Sequence, residues 1–393
     1  MNNALAKKSL DGFNATAFND LGLYIHIPFC VQRCHFCAFY LVRQEERNVE
    51  RFITDLKKEI VLWASRDDVS SRTLSSIYFG GGTPTVLSVN QLNDILECVS
   101  SQWSLDSQVE VTIESTPESL SLKTITALKK SGVTRLSLGV QSFDPQEREM
   151  LGLHSGIQSV REAIRAAHTV GMENVNVDLM YGIPEQTFSS WQDTLVQTLE
   201  LHPRHLSCYA LSIEEGTRFF RQWKKGLVYA CDAEKEHQFQ GLADDYASQS
   251  GLSRYEISNW AHPGAACRHN LRYWQGQDYL GLGPSAQSYV GGRRWGNVPD
   301  LLRYSNQLAQ GQFPVEEVEQ LSPKQQRKER IIFGLRQVEG VPAEWVHSLE
   351  DEEEWSRSMS KLLSEGLVSQ IGNRFRLTAR GRELADTVGE TLW

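Results

Sequence analysis

Strand-like and helix-like patterns of apolar residues alternate from residue 23 to about residue 211. Residues 47–64 place apolar side chains on one helical face, and residues 188–201 repeat them every four positions. Short apolar runs between such helices are predicted strands, at residues 23–27, 76–80, 109–114, 134–139, 175–180 and 206–211. This alternation predicts parallel strands joined by helical crossovers. Because a closed barrel of this type needs eight strands, we expect an α/β fold with an open, partial (β/α)6 barrel.

Beyond residue 212 the regular alternation fades. A helix is predicted at 232–250, followed by a region rich in glycine and aromatic residues at 251–298. The tail predicts helices at 323–335, 350–363 and 379–392, with a hairpin that turns at Gly372 and Asn373. We therefore expect an additional C-terminal α/β region and a small winged-helix-like module. The expected division is an N-terminal extension at 1–20, the partial barrel at 21–215, a barrel-completing region at 216–315 and the module at 316–393.

Three cysteines, Cys30, Cys34 and Cys37, directly follow the first predicted strand. Their x3 and x2 spacing suits one face of a cubane iron–sulfur cluster and leaves the fourth iron without a ligand from this motif, whereas a fully protein-ligated cluster takes four cysteines. Buried free thiols are one alternative. Zinc held with His26 or His35 is another, although His35 lies between two of the cysteines. A disulfide framework is disfavoured by the odd count of seven cysteines and the lack of a secretory signal.

Polar or glycine-rich segments follow each strand, at the edge where parallel barrels carry their catalytic groups. The glycine triplet after the second strand lets a ligand approach the backbone closely, because no side chain blocks the way. Glu114 and Asp178 end strands and could bind an ammonium group or ribose hydroxyls, or else cap the following helices. Gln141 offers a donor and acceptors. Tyr24 and Phe36 flank the cysteines and could stack on an adenine or pack in the core.

Composition excludes several functional classes. The chain has 393 residues, 40% hydrophobic and 23% charged, which is typical of a globular protein. No apolar stretch approaches the roughly 18 residues that span a bilayer, and the first residues lack the apolar core of a signal peptide. We therefore expect a cytoplasmic protein with reduced thiols. The net charge of −9 argues against broad nucleic-acid binding, so no nucleic-acid partner is expected.

The combined motifs resemble the radical S-adenosylmethionine enzymes. Y-I-H-I-P-F-C-x3-C-x2-C, F-G-G-G-T-P-T, G-V-Q-S-F and D-L-M-Y-G-I-P-E-Q-T are similar to the branch that contains oxygen-independent coproporphyrinogen III dehydrogenases and HemW-type haem chaperones. The resemblance implies a [4Fe-4S] cluster on the three cysteines, with S-adenosylmethionine chelating the free iron and receiving an electron that cleaves its sulfonium. It implies contacts to this cofactor from Tyr24, Gly81 and Glu114. Positions matching a second S-adenosylmethionine site are Phe36, Gly82, Thr83, Gln141, Asp178 and Ala210.

Two places bear on the choice within this branch. The dehydrogenases carry a fourth cysteine two residues after the third, and Phe39 stands there in this chain. The segment C-R-H-N-L-R-Y-W resembles the H-N-x-x-Y-W signature of the haem chaperones. The resemblance implies haem near this segment, with His269 or Cys267 as an iron ligand and Tyr273 and Trp274 against the porphyrin. Alternatively, this segment only ties a loop to the barrel.

The chain also departs from the branch. Leu153 stands where an arginine usually occurs, and Gln287 replaces a customary histidine. Ser115, Thr116 and Ala38 also differ from common chaperone residues. These departures bear on the second cofactor site and leave room for a specialised paralogue.

The leading hypothesis is a haem chaperone that binds the cluster, S-adenosylmethionine and haem as cargo. Its expected partners are a haem-accepting protein such as a respiratory enzyme and a reductant such as flavodoxin or ferredoxin, with a homodimer as a further expectation. One rival is a radical enzyme, either a porphyrinogen decarboxylating dehydrogenase or a methyl- or cyclopropane-forming transferase that uses two S-adenosylmethionines. Another is a binding protein with a purely structural cluster. Enzyme activity is therefore left open.

Overall fold

A single large sheet forms the centre of the molecule. The computed structural model describes residues 19–349 and 352–393. Its strands are β1 (Asp20–Ile27), β2 (Phe29–Cys30), β3 (Val42–Arg43), β4 (Thr73–Gly81), β5 (Ser104–Ser115), β6 (Arg135–Gln141), β7 (Asn174–Tyr181), β8 (His205–Ala210), β9 (Ser253–Glu256), β10 (Asn259–Ala261), β11 (Tyr279–Leu282), β12 (Gln287–Val290), β13 (Arg293–Asn297), β14 (Val315–Gln320), β15 (Val341–Pro342), β16 (Val368–Ile371) and β17 (Arg374–Leu377).

Helices connect these strands and cover the sheet. In chain order they are α1 (Glu46–Ala64), α2 (Asp67–Ser70), α3 (Val89–Gln102), α4 (Leu122–Lys130), α5 (Pro145–Leu151), α6 (Ile157–Thr169), α7 (Phe188–Leu199), α8 (Arg218–Trp223), α9 (Ala233–Gln249), α10 (Arg268–Trp274), α11 (Leu301–Ala309), α12 (Pro323–Leu335), α13 (Ala343–His347), α14 (Glu353–Ser364), α15 (Ala379–Glu383) and α16 (Ala385–Leu392). Short 3₁₀ turns occupy Pro84–Val86 and Pro117–Ser119. Across the described ranges, every helix is too short or too polar to cross a bilayer.

The sheet contains the six parallel strands that the sequence predicts. In the described part of the chain, the twelve-stranded sheet has the order β14-β13-β12-β11-β1-β4-β5-β6-β7-β8-β10-β9. Strands β1 and β4 to β8 pair in parallel, and β11 adds a further parallel strand beside β1. The remaining pairs at both edges are antiparallel. The expected α/β barrel fold is confirmed, and β1 and β4 to β8 all end at the edge where parallel barrels carry their functional groups.

Local sequence signals explain the crossover helices. Both α3 and α7 begin with capping boxes, at Ser88 and Thr187. In each, the N-cap hydroxyl accepts a hydrogen bond from the N–H three residues later, and the side chain of that later residue accepts one from the N-cap N–H. Helix α1 buries its apolar face, including Phe52, Leu56 and Ile60, against the sheet. The helices predicted at 47–64 and 188–201 form almost as expected, the first from its helical period and the second from its period together with its cap.

The C-terminal part differs from the sequence expectation at two points. The last helix is interrupted at Leu384, whose backbone (φ −105°, ψ 28°) leaves the helical region, so 379–392 forms α15 and α16. The 251–298 region contributes β9 to β13, which the sequence pattern did not define. Residues 350 and 351, at the start of the helix predicted at 350–363, and residues 1–18 of the expected N-terminal extension lie outside the described residues.

The C-terminal module has its own small core and a defined junction with the barrel. Its three-stranded sheet has the order β15-β17-β16, and Trp355, Met359 and Phe375 belong to a separate apolar cluster. At the junction, the Val338 N–H donates to Tyr255 O (3.0 Å). The hairpin turns at Gly372 and Asn373 as predicted. The module therefore packs onto the strands that follow the barrel.

A buried carboxyl ties α1 to the strands that extend the sheet. Glu59, fully buried, accepts hydrogen bonds from the Gly283 N–H (2.8 Å), the Asn297 amide (2.7 Å) and the Tyr304 hydroxyl (2.6 Å). Burial raises the pKa of this carboxyl to about 7. Buried polar groups are tolerated when hydrogen-bonded and are costly when a partner is lost. Glu59 therefore fixes the position of β11 to β13 relative to the barrel.

Replacing Tyr304 with Phe removes one donor to Glu59 and keeps the ring. We expect Tyr304→Phe to lower the free energy of unfolding by about 1–3 kcal/mol, because a buried carboxyl oxygen loses its partner. Urea denaturation followed by circular dichroism measures this change. Tyr229→Phe, at an exposed tyrosine, is the control and should shift the free energy by less than about 0.5 kcal/mol. Equal stability of both variants would contradict the assigned role of Glu59.

Candidate functional site

The three cysteines lie at the end of the first barrel strand. Cys30 belongs to the short strand β2, which pairs in parallel with β3, and Cys34 and Cys37 lie in the loop between them. The Val42 N–H donates to Pro28 O (2.7 Å), which closes this loop at its base. We call residues 30–41 the cysteine loop. The position confirms that the cysteines occupy the edge where the parallel strands end.

Two histidines near the cysteines are engaged elsewhere. His35 lies 2.7 Å through Nδ1 from Met150 O and 2.8 Å through Nε2 from the Arg218 guanidinium. Because a carbonyl only accepts, Nδ1 carries the proton and Nε2 accepts from the arginine. His26 contacts the Tyr24 hydroxyl (3.1 Å) and Tyr40 O (3.2 Å). The rings therefore anchor the cysteine loop, and neither is free to join the sulfurs on a zinc ion.

The three thiols influence one another. Burial raises the pKa of Cys34 to about 12, and the neighbouring Cys37 and Cys30 add to the shift. Burial also raises the pKa of Cys30 and of Cys37. Three adjacent thiolates would repel one another unless bound cations compensate their charge, and a metal centre ionises coordinating thiols. Within the described residues, no group of three or more His, Cys, Asp and Glu side chains is arranged to hold a metal ion. The fit to a cluster therefore rests on the chemistry of the three thiols, Cys30, Cys34 and Cys37, and on their shared loop, and not on a preformed coordination geometry.

The glycine triplet joins the cysteine strand through backbone hydrogen bonds. The Gly82 N–H donates to Ile27 O (2.8 Å), and the Thr83 N–H donates to Phe29 O (2.8 Å). A Cβ on residue 82 would lie 2.5 Å from Phe29 O, so only glycine permits this approach. The Thr83 hydroxyl oxygen lies 3.4 Å from the Cys30 sulfur. The backbone of the triplet therefore packs directly beside the first cysteine, and we call it the glycine cradle.

Glu114 is a partly buried carboxyl that faces this cradle. It accepts hydrogen bonds from the Gly81 N–H (3.1 Å) and the Tyr78 hydroxyl (2.8 Å). Burial raises its pKa to about 7, and the nearby Asp178 carboxyl adds to this shift. The Tyr24 ring stacks on Tyr78 with centroids 6.1 Å apart. Tyr24, Gly81 and Glu114 are therefore brought together, and the carboxyl is poised to ionise next to a cationic ligand.

Asp178 belongs to a polar layer inside the barrel that sequence reasoning missed. Its oxygens accept hydrogen bonds from the Ser137 hydroxyl (3.0 Å) and the Asn176 amide (2.8 Å), and burial raises its pKa. His205 Nδ1 lies 2.6 Å from the Asn176 amide oxygen. Alternation of polar residues within β6, β7 and β8 was the signal that could have found this layer, since alternate side chains of a strand face the same side.

The other positions of the second cofactor set lie on the same edge. Gln141 ends β6 with φ +67°, an unusual backbone conformation for a residue other than glycine, and Ala210 ends β8. Phe36 and Leu153 are partly buried against one apolar cluster that contains Leu151 and Phe219. Leu153 therefore supplies apolar packing where the branch usually places a cationic side chain.

The H-N-x-x-Y-W segment lies within α10, against the inside of the barrel. His269 is buried, with Nδ1 2.9 Å from the Ser76 hydroxyl and Nε2 2.8 Å from the Tyr273 hydroxyl. Burial lowers the pKa of His269 to about 3, and the nearby Arg272 charge contributes. Cys267 is buried with its sulfur 3.5 Å from Glu110, and burial raises its pKa to about 12. Both side chains therefore hold α10 on the barrel.

A cavity of about 880 Å³ opens between the barrel edge and the C-terminal module. Tyr24 and His26 lie on its wall beside the cysteine strand, and Phe39 comes from the cysteine loop. The rest of the wall is formed by α10, by β11 to β13 and by α12. Its aromatic lining is Tyr273, Trp274, Tyr279, Tyr289 and Phe333, its charged lining is Asp278, Arg294, Arg327, Glu329 and Arg330, and Gln287 also faces it. Tyr273 and Trp274, unlike His269 and Cys267, are thus cavity residues.

Comparison with known proteins places these features in a class. Residues 24–197 match the radical SAM superfamily, and residues 321–384 match the HemN C-terminal domain. The solved structure of coproporphyrinogen III oxidase (HemN) from Escherichia coli has the same fold, with a TM-score of 0.83 and 24% identity over 96% of this chain and 91% of that chain. The sheet, the cysteine loop and these matches define a protein of the radical SAM class.

Relatives of nearly equal length narrow this class. The heme chaperone HemW of Mycobacterium tuberculosis (strain ATCC 25618 / H37Rv) is 33% identical over 392 residues, 98% of each chain. That of Bacillus subtilis (strain 168) is 31% identical over 93% of this chain and 97% of its own. That of Escherichia coli (strain K12) is 34% identical over 69% of this chain and 70% of its own. The chain belongs to the heme chaperone HemW family.

Removing the His269 ring should destabilise the protein in a pH-dependent way. His269→Ala leaves the hydroxyls of Ser76 and Tyr273 without partners, which costs about 1–3 kcal/mol at pH 7.5. The folded state keeps this histidine neutral, whereas the unfolded chain binds a proton below its ordinary pKa of about 6.5. The wild type therefore loses stability as pH falls through 6.5 and the variant does not, so their gap should shrink by about 1.4 kcal/mol at pH 5.5.

Urea denaturation at both pH values measures this gap. His154→Ala, at an exposed histidine, should leave the free energy of unfolding within about 0.5 kcal/mol of the wild type. A gap for His269→Ala that does not change between the two pH values would contradict the assignment of a buried, neutral ring.

Proposed function

We propose that this protein is a haem chaperone that holds haem in the cavity between the barrel and the C-terminal module and passes it to an acceptor protein. The observation that carries the proposal is the chemistry of this cavity. Its volume of about 880 Å³ lies in the range of small-molecule and cofactor sites. Several aromatic rings on its wall suit a flat porphyrin, because they offer extended apolar faces. The names of the relatives support the same function.

The charged residues of the cavity suit the haem propionates. Arg327 on α12 is exposed, whereas the guanidinium of Arg294 bonds to Glu319 (2.6 Å) and Glu329 (2.5 Å). Arginine recognises carboxylates through charge-assisted hydrogen bonds. A propionate can pair with Arg327 directly and can compete with Glu329 for Arg294. Asp278 on the same wall is bonded to Arg72 (2.5 Å), so its negative charge is already compensated and does not repel a propionate.

The cluster site adjoins this cavity. Cys30, Cys34 and Cys37 would hold three irons of a [4Fe-4S] cluster, and Tyr24, Gly81 and Glu114 would contact S-adenosylmethionine at the free iron. When bound, the cluster supplies an electron to S-adenosylmethionine. The chain's own contribution is the glycine cradle, the partly buried Glu114 carboxyl for an ammonium group and the adjoining aromatic wall of the cavity. Tyr24 belongs both to this site and to the cavity wall, so the state of the cluster site can affect bound haem.

We propose one S-adenosylmethionine site. Of the residues that match a second site, Asp178 is already satisfied within the barrel, and Leu153 offers no charge. Phe36, Gly82, Thr83, Gln141 and Ala210 keep their places at the edge and can serve the single cofactor. The rival function, oxidative decarboxylation of coproporphyrinogen III, would use the same cavity and is separated from the chaperone function by its product.

The remaining partners belong to the same proposal. The acceptor is a haem-dependent protein such as a respiratory enzyme, and the reductant is flavodoxin or ferredoxin. A homodimer and a cytoplasmic location complete it. Haem ligation by His269 or Cys267 would require that α10 release its contacts with Ser76 or Glu110, so the proposal assigns to Tyr273 and Trp274 the contact with the porphyrin face.

Haem titration of the anaerobically reconstituted protein tests the cavity assignment. The wild type should develop a Soret band, and Trp274→Ala should raise the Kd for haem about tenfold because a porphyrin-facing ring is lost. Arg327→Glu should raise it similarly, since a cation that pairs with a propionate becomes an anion. Trp223→Ala, at an exposed tryptophan outside the cavity, is the matched control and should bind haem as the wild type does.

The results separate the rival functions. No Soret band in the wild type together with consumption of coproporphyrinogen III would replace the chaperone by the dehydrogenase. Unchanged Kd values in both cavity variants would place haem elsewhere. A Soret band that is lost in a folded His269→Ala protein, with Trp274→Ala unaffected, would assign the iron bond to His269 and refute the aromatic cavity.

The Glu114 carboxyl should make S-adenosylmethionine binding depend on pH. Its pKa of about 7 means that it is mostly protonated at pH 6 and mostly ionised at pH 8, and only the ionised form attracts an ammonium group. Affinity should therefore rise over this range, and Glu114→Gln should bind about tenfold more weakly at pH 8 with a flatter profile. Anaerobic calorimetry measures this, with the exposed Glu118→Gln as control. An identical profile in Glu114→Gln would refute the role.

A further inference from the structure

A basic and aromatic surface stands beside the cysteine loop. It comprises Arg221, Trp223, Lys224, Lys225, Leu227 and Tyr229, on α8 and the turn after it, and we call it the basic patch. All six side chains are exposed. Trp223 is 45% exposed, Leu227 67% and Tyr229 73%, which is unusual for large apolar side chains that lie close together in sequence.

The basic patch is fixed to the cysteine loop. Arg218, at the start of α8, donates to His35 Nε2 (2.8 Å), and the Phe219 N–H donates to His35 O (3.1 Å). Phe219 and Val228 pack in the apolar cluster against which Phe36 lies. His35 and Phe36 are the residues between Cys34 and Cys37, so the segment that carries the patch also holds two of the three cysteines. The patch therefore has a constant position relative to the cluster site.

The charge of the patch contrasts with that of the whole protein. The chain has 49 acidic and 40 basic residues and a net charge of −9. Acidic residues flank the patch, Glu214 and Glu215 before it and Asp232, Glu234 and Glu236 after it, but residues 218–231 hold four cations and no acid. Exposed tryptophan, tyrosine and arginine are the side chains enriched in protein interfaces. A positive patch on an acidic protein attracts an acidic partner. It also orients the protein so that the patch, and with it the cysteine loop, faces that partner.

We propose that the basic patch is the docking surface for an acidic one-electron carrier protein that reduces the cluster. This inference rests on the proposed function, because it requires the cluster. In each encounter one electron moves from the reduced carrier to the cluster; the carrier is oxidised by one electron, the cluster is reduced by one, and no bond forms or breaks. Electron transfer slows steeply with distance, so docking beside the cysteine loop gives the carrier a short path. Such encounters are typically small and weak, which fits a patch of this size.

Charge reversal in the reconstituted protein tests the proposal. Lys224→Glu/Lys225→Glu changes two exposed side chains, whereas the contacts to His35 come from Arg218 and Phe219; the Lys224 ammonium lies over the Phe220 ring of its own helix. The probe is a reduced acidic flavodoxin. At low salt we expect the Kd of the complex to rise about tenfold and the second-order rate of cluster reduction to fall about tenfold. The difference should shrink at high ionic strength, where exposed charges are screened. Calorimetry measures binding, and electron paramagnetic resonance measures the reduced cluster.

Two controls separate docking from other effects. Lys130→Glu/Arg165→Glu changes the net charge by the same amount at exposed positions on α4 and α6, and it should behave as the wild type does. Dithionite, a small reductant that needs no docking surface, should reduce the cluster equally in all three proteins. Trp223→Ala should weaken flavodoxin binding at both low and high salt, because it removes apolar contact rather than charge.

The outcomes are distinct. Equal flavodoxin binding and equal reduction rates in the wild type and the Lys224/Lys225 variant, with normal reduction by dithionite, would overturn the docking surface and leave the proposed function intact. Equal losses in both double variants would also overturn it, since net charge alone would then explain the effect. A wild-type protein that forms no reducible cluster with dithionite would overturn the docking surface and the proposed cofactor chemistry together.

Discussion

The backbone hydrogen bonds between the glycine triplet and the cysteine strand are the constraint on which the site depends. They join the ends of β1 and β4, two neighbouring strands of the sheet, at the point where Cys30 begins its loop. The approach is so close that a side chain at residue 82 would overlap Phe29 O. Because the strands are parallel, their ends meet at one edge, and the other groups of the site are delivered to the same edge by β5, β6, β7 and β8. The chemistry is therefore a consequence of strand order.

Burial in the barrel determines the electrostatics of the site. Burial raises the pKa of both the Glu114 and the Asp178 carboxyl, and the negative charge of Asp178 raises that of Glu114 further. The cysteine thiols are also shifted toward their neutral forms by burial. Acidic groups whose charged forms are disfavoured by burial suit cationic ligands, since a metal centre or an ammonium group stabilises the ionised form. The protein thus combines a hydrogen-bonded polar interior with an edge that favours cationic ligands.

The aromatic cavity arises from parts of the chain that are far apart. Its walls come from the cysteine strand, from α10, from the strands that extend the sheet and from the first helix of the C-terminal module. Glu59 ties α1 to Gly283, Asn297 and Tyr304 and so sets the position of the extending strands. The module contributes Phe333 and Arg327 on α12. A cargo held there would touch both the radical SAM edge and the module, which gives the two-part architecture a reason in function.

Much of this was determined by the sequence alone. The periodicity of apolar residues predicted the six parallel strands and the main helices, because a helix or strand that is buried on one face, or on both, repeats apolar residues at a characteristic spacing. The cysteine spacing and the glycine triplet placed the candidate site at the strand ends, since both are local features of the residue order, and the structure brings the two together there. Gly372 and Asn373 likewise predicted the hairpin turn.

Tertiary structure decided what depends on contacts between distant segments. It turned His35 toward Met150 and Arg218, placed His269 against Ser76 inside the barrel, and gave Leu153 an apolar cluster to fill. It also formed strands from the 251–298 region and ended a helix at Leu384. The reason is physical: the direction in which a polar side chain points depends on partners that folding brings from elsewhere in the chain, and residue order by itself does not record those partners.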